Sequence, residues 1–180
     1  MQKGHVKQTK RKYMAIRDVL QIGNPVLRKK CAKTTGFGPL LRETLDDMRD
    51  TLTHLQKTKT IGRALAAPQI GLLKRIIYIQ TPDLTLYMIN PEISYKSPEM
   101  FEVWDSCFSF DVSFFVKINR HKKIAVDFQD ENGKYFSKTF SNELSELLQH
   151  EIDHLGGILA TDHLTDPKNI IMRSEWEKLR

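Results

Sequence analysis

His150-Glu151-Ile152-Asp153-His154, preceded by Gln149, is the stretch that most constrains how this chain can fold. Histidines four positions apart project from one face of a helix. Two imidazoles so placed can hold one metal ion, and Glu151 between them can reach a water on that ion. The spacing predicts a helix from about Asn142 to Leu155. Ser141 or Asn142 is available as its cap, with Glu143 and Glu146 in the first turns, and Gly156-Gly157 ends it. Leu144, Leu147, Leu148, Ile152 and Leu155 pack it inward. The histidines therefore sit beside apolar neighbours, where an unliganded pair would need other partners.

A hydrolytic metal site takes three protein ligands and keeps one position open. Taken alone, the residues leave the third donor open among Cys107, Asp162 and His163. A thiolate from Cys107 bonds strongly to zinc or ferrous iron, but it must arrive on a neighbouring strand; Asp162 follows the helix at short range. Glu151 suits a general base that takes a proton as water attacks a carbonyl carbon and returns it to a leaving nitrogen. Asp153 is expected to fix a histidine or to pair with a basic side chain.

Around this helix the chain reads as α+β, with short, mostly antiparallel sheets packed about the C-terminal helix. Leu41, Leu45, Met48, Leu52 and Leu55 form one apolar stripe, predicting a helix over 39–57 with Pro39 in its first turn. Strands are expected at 75–80, 86–90 and 92–95, with a break at Asn90-Pro91. An extended stretch over 101–110 would contain Cys107. Segments 122–128 and 134–140 flank Asp130-Glu131-Asn132-Gly133, a hairpin signal with a loop that can exceed two residues. Residues 169–179 suggest a short C-terminal helix.

The 180 residues suit one domain over 14–180 behind a flexible basic tail over 1–13. Lys3, Lys7, Lys10, Arg11 and Lys12 of that tail supply much of the net charge of +6. A solvated extension is the plain reading; contact with a ribosome is the alternative. No apolar run is long enough to span a membrane, and no pattern points to a specific DNA site, a Rossmann fold or a phosphate-binding loop. The basic start has no apolar run behind it, so no secretory signal and a cytoplasmic location are expected. Cys31 and Cys107 are expected to stay unpaired.

Three motifs bear a family resemblance. Gly62 to Gln69 is similar to G-x-G-x-A-A-x-Q, Asp105-Ser106-Cys107-Phe108-Ser109 to E-G-C-L-S, and Gln149 to His154 matches Q-H-E-x-D-H. With Gly23 to Arg28, they make the chain resemble peptide deformylase over nearly all its length beyond the tail. The resemblance implies one divalent metal ion, ferrous iron first and zinc or nickel after exchange, held by Cys107, His150 and His154. It implies Glu151 as general base, with the Gln69 side chain and the Phe108 backbone N–H as oxyanion donors. Gly62, Ala64, Asp105 and Ser106 would meet the substrate along strand edges. The implied reaction removes the formyl group from the initiator methionine of nascent polypeptides, releasing formate.

The departures fall on substrate-facing positions: Ala64 for glycine, Asp105 and Ser106 for Glu-Gly, Phe108 for leucine, and a longer stretch after Cys107. The ligands and the base are intact. Two other readings therefore stand beside the first: a related hydrolase of another small N-acyl or amide substrate, and a non-catalytic metal-bearing binding protein.

Overall fold

The apolar stripe of the first long helix decides where the chain begins to pack. In the structure, a computed structural model that describes residues 16–179, helix α1 spans Pro39–Lys59. Leu41, Leu45, Met48, Leu52 and Leu55 are all buried. Strands β1 (Ala64–Ala66), β2 (Ile76–Gln80) and β3 (Thr85–Lys96) follow, then β4 (Met100–Asp105), β5 (Phe114–His121), β6 (Lys123–Gln129) and β7 (Tyr135–Ser141). Helix α2 is Glu143–Leu155, and the chain closes with β8 (Ile170–Met172) and a short helix α3 (Arg173–Trp176).

Every pairing between these strands is antiparallel. One sheet has the order β1-β2-β3-β6-β7 and the other β4-β5-β8. Helix α2 packs against β1 and β7 of the first and β5 of the second. Strand β2 shows why its sequence reads as an unbroken apolar run: Ile77 and Ile79 join the α2 core, while Ile76 and Tyr78 join the α1 core. A strand covered on both faces needs apolar side chains on both. A further cluster of Leu27, Cys107, Phe110, Val116, Ile118, Leu159 and Ala160 fills the space beside the smaller sheet.

The expected α+β architecture with antiparallel sheets around the C-terminal helix is the one found. Three local expectations change. The break at Asn90-Pro91 is a register irregularity inside one continuous strand. Asn90 takes φ 54°, and its side chain bonds both backbone groups of Thr34, so the strand bends without ending. The 101–110 stretch is β4 followed by a 3-10 turn at Phe108–Phe110. The C-terminal segment begins as strand β8 before its helix, because β5 offers a free edge to Ile170–Met172. At the start of α2, Asn142 occupies the cap position without a side-chain capping bond. Both cysteines are free and buried. The expected basic tail over 1–13 lies outside the described residues. Among the described residues no helix is long and apolar enough to cross a membrane.

Candidate metal centre and active-site cleft

Two turns of α2 place His150 and His154 side by side, ring centroids 4.9 Å apart and edge to face. Cys107 arrives from the other sheet. It directly follows β4 and Ser106, in extended backbone, just before the 3-10 turn. Its Sγ lies 3.2 Å from His154 Nε2, and the ligand atoms of Cys107, His150 and His154 all lie within 4.8 Å of one another. All three residues are buried. The other candidate donors are engaged elsewhere: Asp162 with Arg28 and the Leu159 N–H, His163 with Asp153.

The donor set has the chemistry of a divalent metal site. One thiol and two imidazoles suit zinc or ferrous iron. Burial and the neighbouring His150 push His154 down to about 3, which leaves a neutral imidazole with a lone pair to give. Burial also opposes charge on His150, but Asp105 and Cys107 outweigh it and hold its pKa above the ordinary value. The Asp105 carboxylate favours a cation beside it.

Asp105, expected to face the substrate, stands in the wall of the cleft, and its carboxylate is engaged inside the protein. One oxygen accepts from His150 Nδ1 at 2.8 Å and the other from Arg120 Nη2 at 3.0 Å. This fixes the proton of His150 on Nδ1 and turns Nε2 toward the cluster. Burial works against ionising Asp105, and His150 and Arg120 overcome it, holding the carboxyl well below its usual range. Arg120 continues the chain to Asp153 at 2.5 Å, and Asp153 accepts from His163 at 2.8 Å. The motif position Asp153 thus pairs with a basic side chain and with a histidine outside the cluster.

A cleft of about 180 Å³ opens onto this centre, lined in part by Gly62, Ala64, Gln69, Phe108, Leu147 and Glu151. Gln69 Oε1 accepts the Ala66 N–H at 2.8 Å, which orients the amide. Its Nε2 lies 3.3 Å from Cys107 Sγ, aimed at the centre. Burial pushes Glu151 up to about 7, where a carboxyl can take and return a proton near neutrality. Its Oε2 is buried without a hydrogen-bond partner among the described residues. Ser106 turns its hydroxyl to the Phe114 carbonyl at 2.7 Å. Ala64 lies in β1, paired with Ile79, where extended backbone accepts alanine. At Gly62 φ is +111°, and a Cβ there would stand 2.1 Å from Phe108 Cζ, so the larger residue at 108 rests on the bare glycine.

Sequence reasoning missed Arg120, the Arg63–Glu146 ion pair at 2.7 Å beside the cleft, and Arg173 in the cleft wall. Arg120 did leave a signal: Val116, Ile118 and Arg120 alternate as buried positions of β5, and an arginine on an apolar face needs a buried acid.

Residues 16–169 match the family model described as polypeptide deformylase. The chain belongs to the polypeptide deformylase family. Curated relatives include the peptide deformylase of Thermotoga maritima, 34% identical over 153 residues that cover 85% of this chain and 90% of the relative. Peptide deformylase 2 of Clostridium acetobutylicum is 37% identical over 153 residues, covering 85% and 98%. The crystal structure of the Thermotoga maritima enzyme superposes with a TM-score of 0.77 at 33% identity, covering 84% of this chain and 99% of that one. A Synechococcus elongatus peptide deformylase in complex with actinonin gives 0.79 at 27% identity, covering 92% and 87%. The resemblance read from the three motifs holds, and with it the assignment as a metal-dependent hydrolase that takes the formyl group from N-terminal methionine.

Proposed function

We propose that this deformylase acts on N-formylmethionyl peptides and nascent chains, in the cytoplasm, with residues 14–180 as its catalytic unit. One divalent cation, ferrous iron in the native state and zinc or nickel after exchange, would be held by Cys107 Sγ and the ring nitrogens of His150 and His154. The observation that carries this reading is convergence: the three donors cluster together, and Cys107, His150, the oriented Gln69 amide and the buried Glu151 carboxyl line one cleft. When bound, the cation supplies Lewis acidity to a carbonyl and makes a water molecule more acidic.

The chain's own residues supply the remaining steps. Glu151 accepts the proton of the attacking water and delivers it to the departing amine nitrogen, so that formate and a free N-terminus result. Gln69 Nε2 and the Phe108 backbone N–H donate to the oxygen that gains charge. Asp105, anchored by Arg120, keeps His150 in the tautomer that offers Nε2. Gly62, Ala64 and the Phe108 ring wall the cleft against which the methionine side chain lies.

The direct test is formate release from formyl-Met-Ala-Ser by protein purified anaerobically and loaded separately with ferrous iron or zinc. Release is expected with iron. Glu151→Gln should keep its metal and lose roughly 10²–10⁴ in turnover. A folded, fully metallated sample that releases no formate would overturn the substrate and turn the search to other N-acyl amides. Ribosome contact through residues 1–13 would show as lost co-sedimentation after their removal, with turnover on the short peptide unchanged.

A further inference from the structure

Cys107 reaches the centre on a turn that its own sequence does not favour. Its carbonyl accepts the N–H groups of Phe110 and Val112, each at 3.0 Å. Asp111 and Val112 then follow at φ 52° and 54°. The left-handed region is hostile to a β-branched residue, and such a conformation persists only where the surroundings impose it. Here the C-terminal segment does so. Arg173 Nε donates to the Val112 carbonyl at 2.6 Å. The Arg173 backbone N–H donates to the Ser113 carbonyl at 2.9 Å. Strand β8 pairs Met172 with Phe114, the next residue along.

The guanidinium itself is held in place. Its Cζ lies 4.7 Å from the centroid of the Phe115 ring, and Trp176 stacks on the same ring at 4.4 Å. Glu177 stands 3.4 Å from Nη1. The side chain thus spans from the end of β8 to the turn that carries Cys107, along the wall of the cleft.

We propose that Arg173 is a positioning residue for the deformylation reaction. Its Nε–H holds Val112 in the left-handed conformation and so fixes the turn that presents Cys107 Sγ and the Phe108 N–H. The inference rests on the proposed ligand role of Cys107. The backbone bond to Ser113 and the β8 ladder do not depend on the side chain, so Arg173→Ala leaves them available and the fold supported.

The experiment uses the full chain with formyl-Met-Ala-Ser, and in parallel the cobalt-substituted protein, whose thiolate-to-cobalt absorption reports the geometry at Cys107. Arg173→Ala is expected to lower kcat about tenfold with little change in KM, and to shift the thiolate band. Arg173→Gln places an amide N–H at the position of Nε and should keep most of the activity and the band. Val112→Gly, introduced into Arg173→Ala, should restore much of both, because glycine adopts positive φ without the steric penalty that valine meets there. Unchanged kcat and spectrum in Arg173→Ala would overturn the inference. So would a loss that Val112→Gly does not repair, or an Arg173→Gln variant as poor as the alanine. A thiolate band missing from the unaltered protein would be a different result: it would overturn the ligand role of Cys107 and the inference with it.

Discussion

The two sides of the candidate metal centre are built by different means. On the α2 side, helical spacing alone sets His150 and His154 next to each other, and Leu147, Leu148 and Leu155 bury the helix around them. On the Cys107 side the local bonds, from the Phe110 and Val112 N–H groups to the Cys107 carbonyl and from the Ser109 N–H to its Sγ, are joined by contacts from outside the turn. The turn depends on Ser106 reaching the Phe114 carbonyl, on Gln69 from beyond β1, and on Arg173 from the C-terminal segment. A helix carries its geometry in its own hydrogen bonds, whereas a turn borrows its geometry from contacts distant in sequence. Asp105 apart, the helix side should therefore tolerate loss of distant partners, and the turn side should not.

Removing a proposed ligand from either side tests the comparison most severely. Cys107→Ala and His154→Ala should each weaken metal binding by more than the roughly 100-fold typical of losing an outer partner. Metal content by elemental analysis after dialysis against a weak chelator measures this. Equal metal content in Cys107→Ala and the unaltered protein would mean that the turn contributes no donor, and the division between the two sides would collapse.

Asp105→Asn comes next, because Asp105 joins the sides: it ends β4 and grips His150 on α2. Asparagine keeps the size but not the charge that holds the His150 proton on Nδ1 and balances Arg120. Metal affinity is expected to fall about 10–100-fold, read by competition with a chromophoric chelator. An unaltered affinity would show that α2 orients its own histidine unaided.

The same division explains what could be read before the fold was known. The α2 motif, the α1 stripe and the β6–β7 hairpin are local patterns, and their elements lie within a few residues of the expected bounds. The continuous β3 was not legible, because Asn90-Pro91 reads as a stop until the Asn90 side chain is seen holding Thr34. Strand β8 was not legible either, since Ile170–Met172 becomes a strand only against the edge of β5. At the site, the residue types were visible but the role of Asp105 was not. Its partner Arg120 lies on β5, a strand the sequence reading did not pick out. The orientation of Gln69 likewise depends on a backbone group, the Ala66 N–H, which no side-chain pattern reveals.

The smallest effect sharpens the comparison furthest. Ser106→Ala and Ser145→Ala each delete a hydroxyl bond of 2.7 Å to a backbone carbonyl, the first to Phe114 beside the turn and the second to His121 beside α2, and Ser145→Ala also removes the acceptor of the Gln149 Nε2 at 3.1 Å. A hydrogen bond of this kind contributes about 1 kcal/mol, so urea unfolding should find both variants modestly destabilised, Ser145→Ala at least as much as Ser106→Ala. Their turnover should differ. Ser145 supports a helix that other contacts already hold, and its loss should leave kcat unchanged. Ser106 directly precedes Cys107, and its loss should lower kcat a few-fold at constant KM. If the two variants match in kcat, the turn is as self-sufficient as the helix. The contacts it borrows from Phe114 and Arg173 would then serve the fold and not the site.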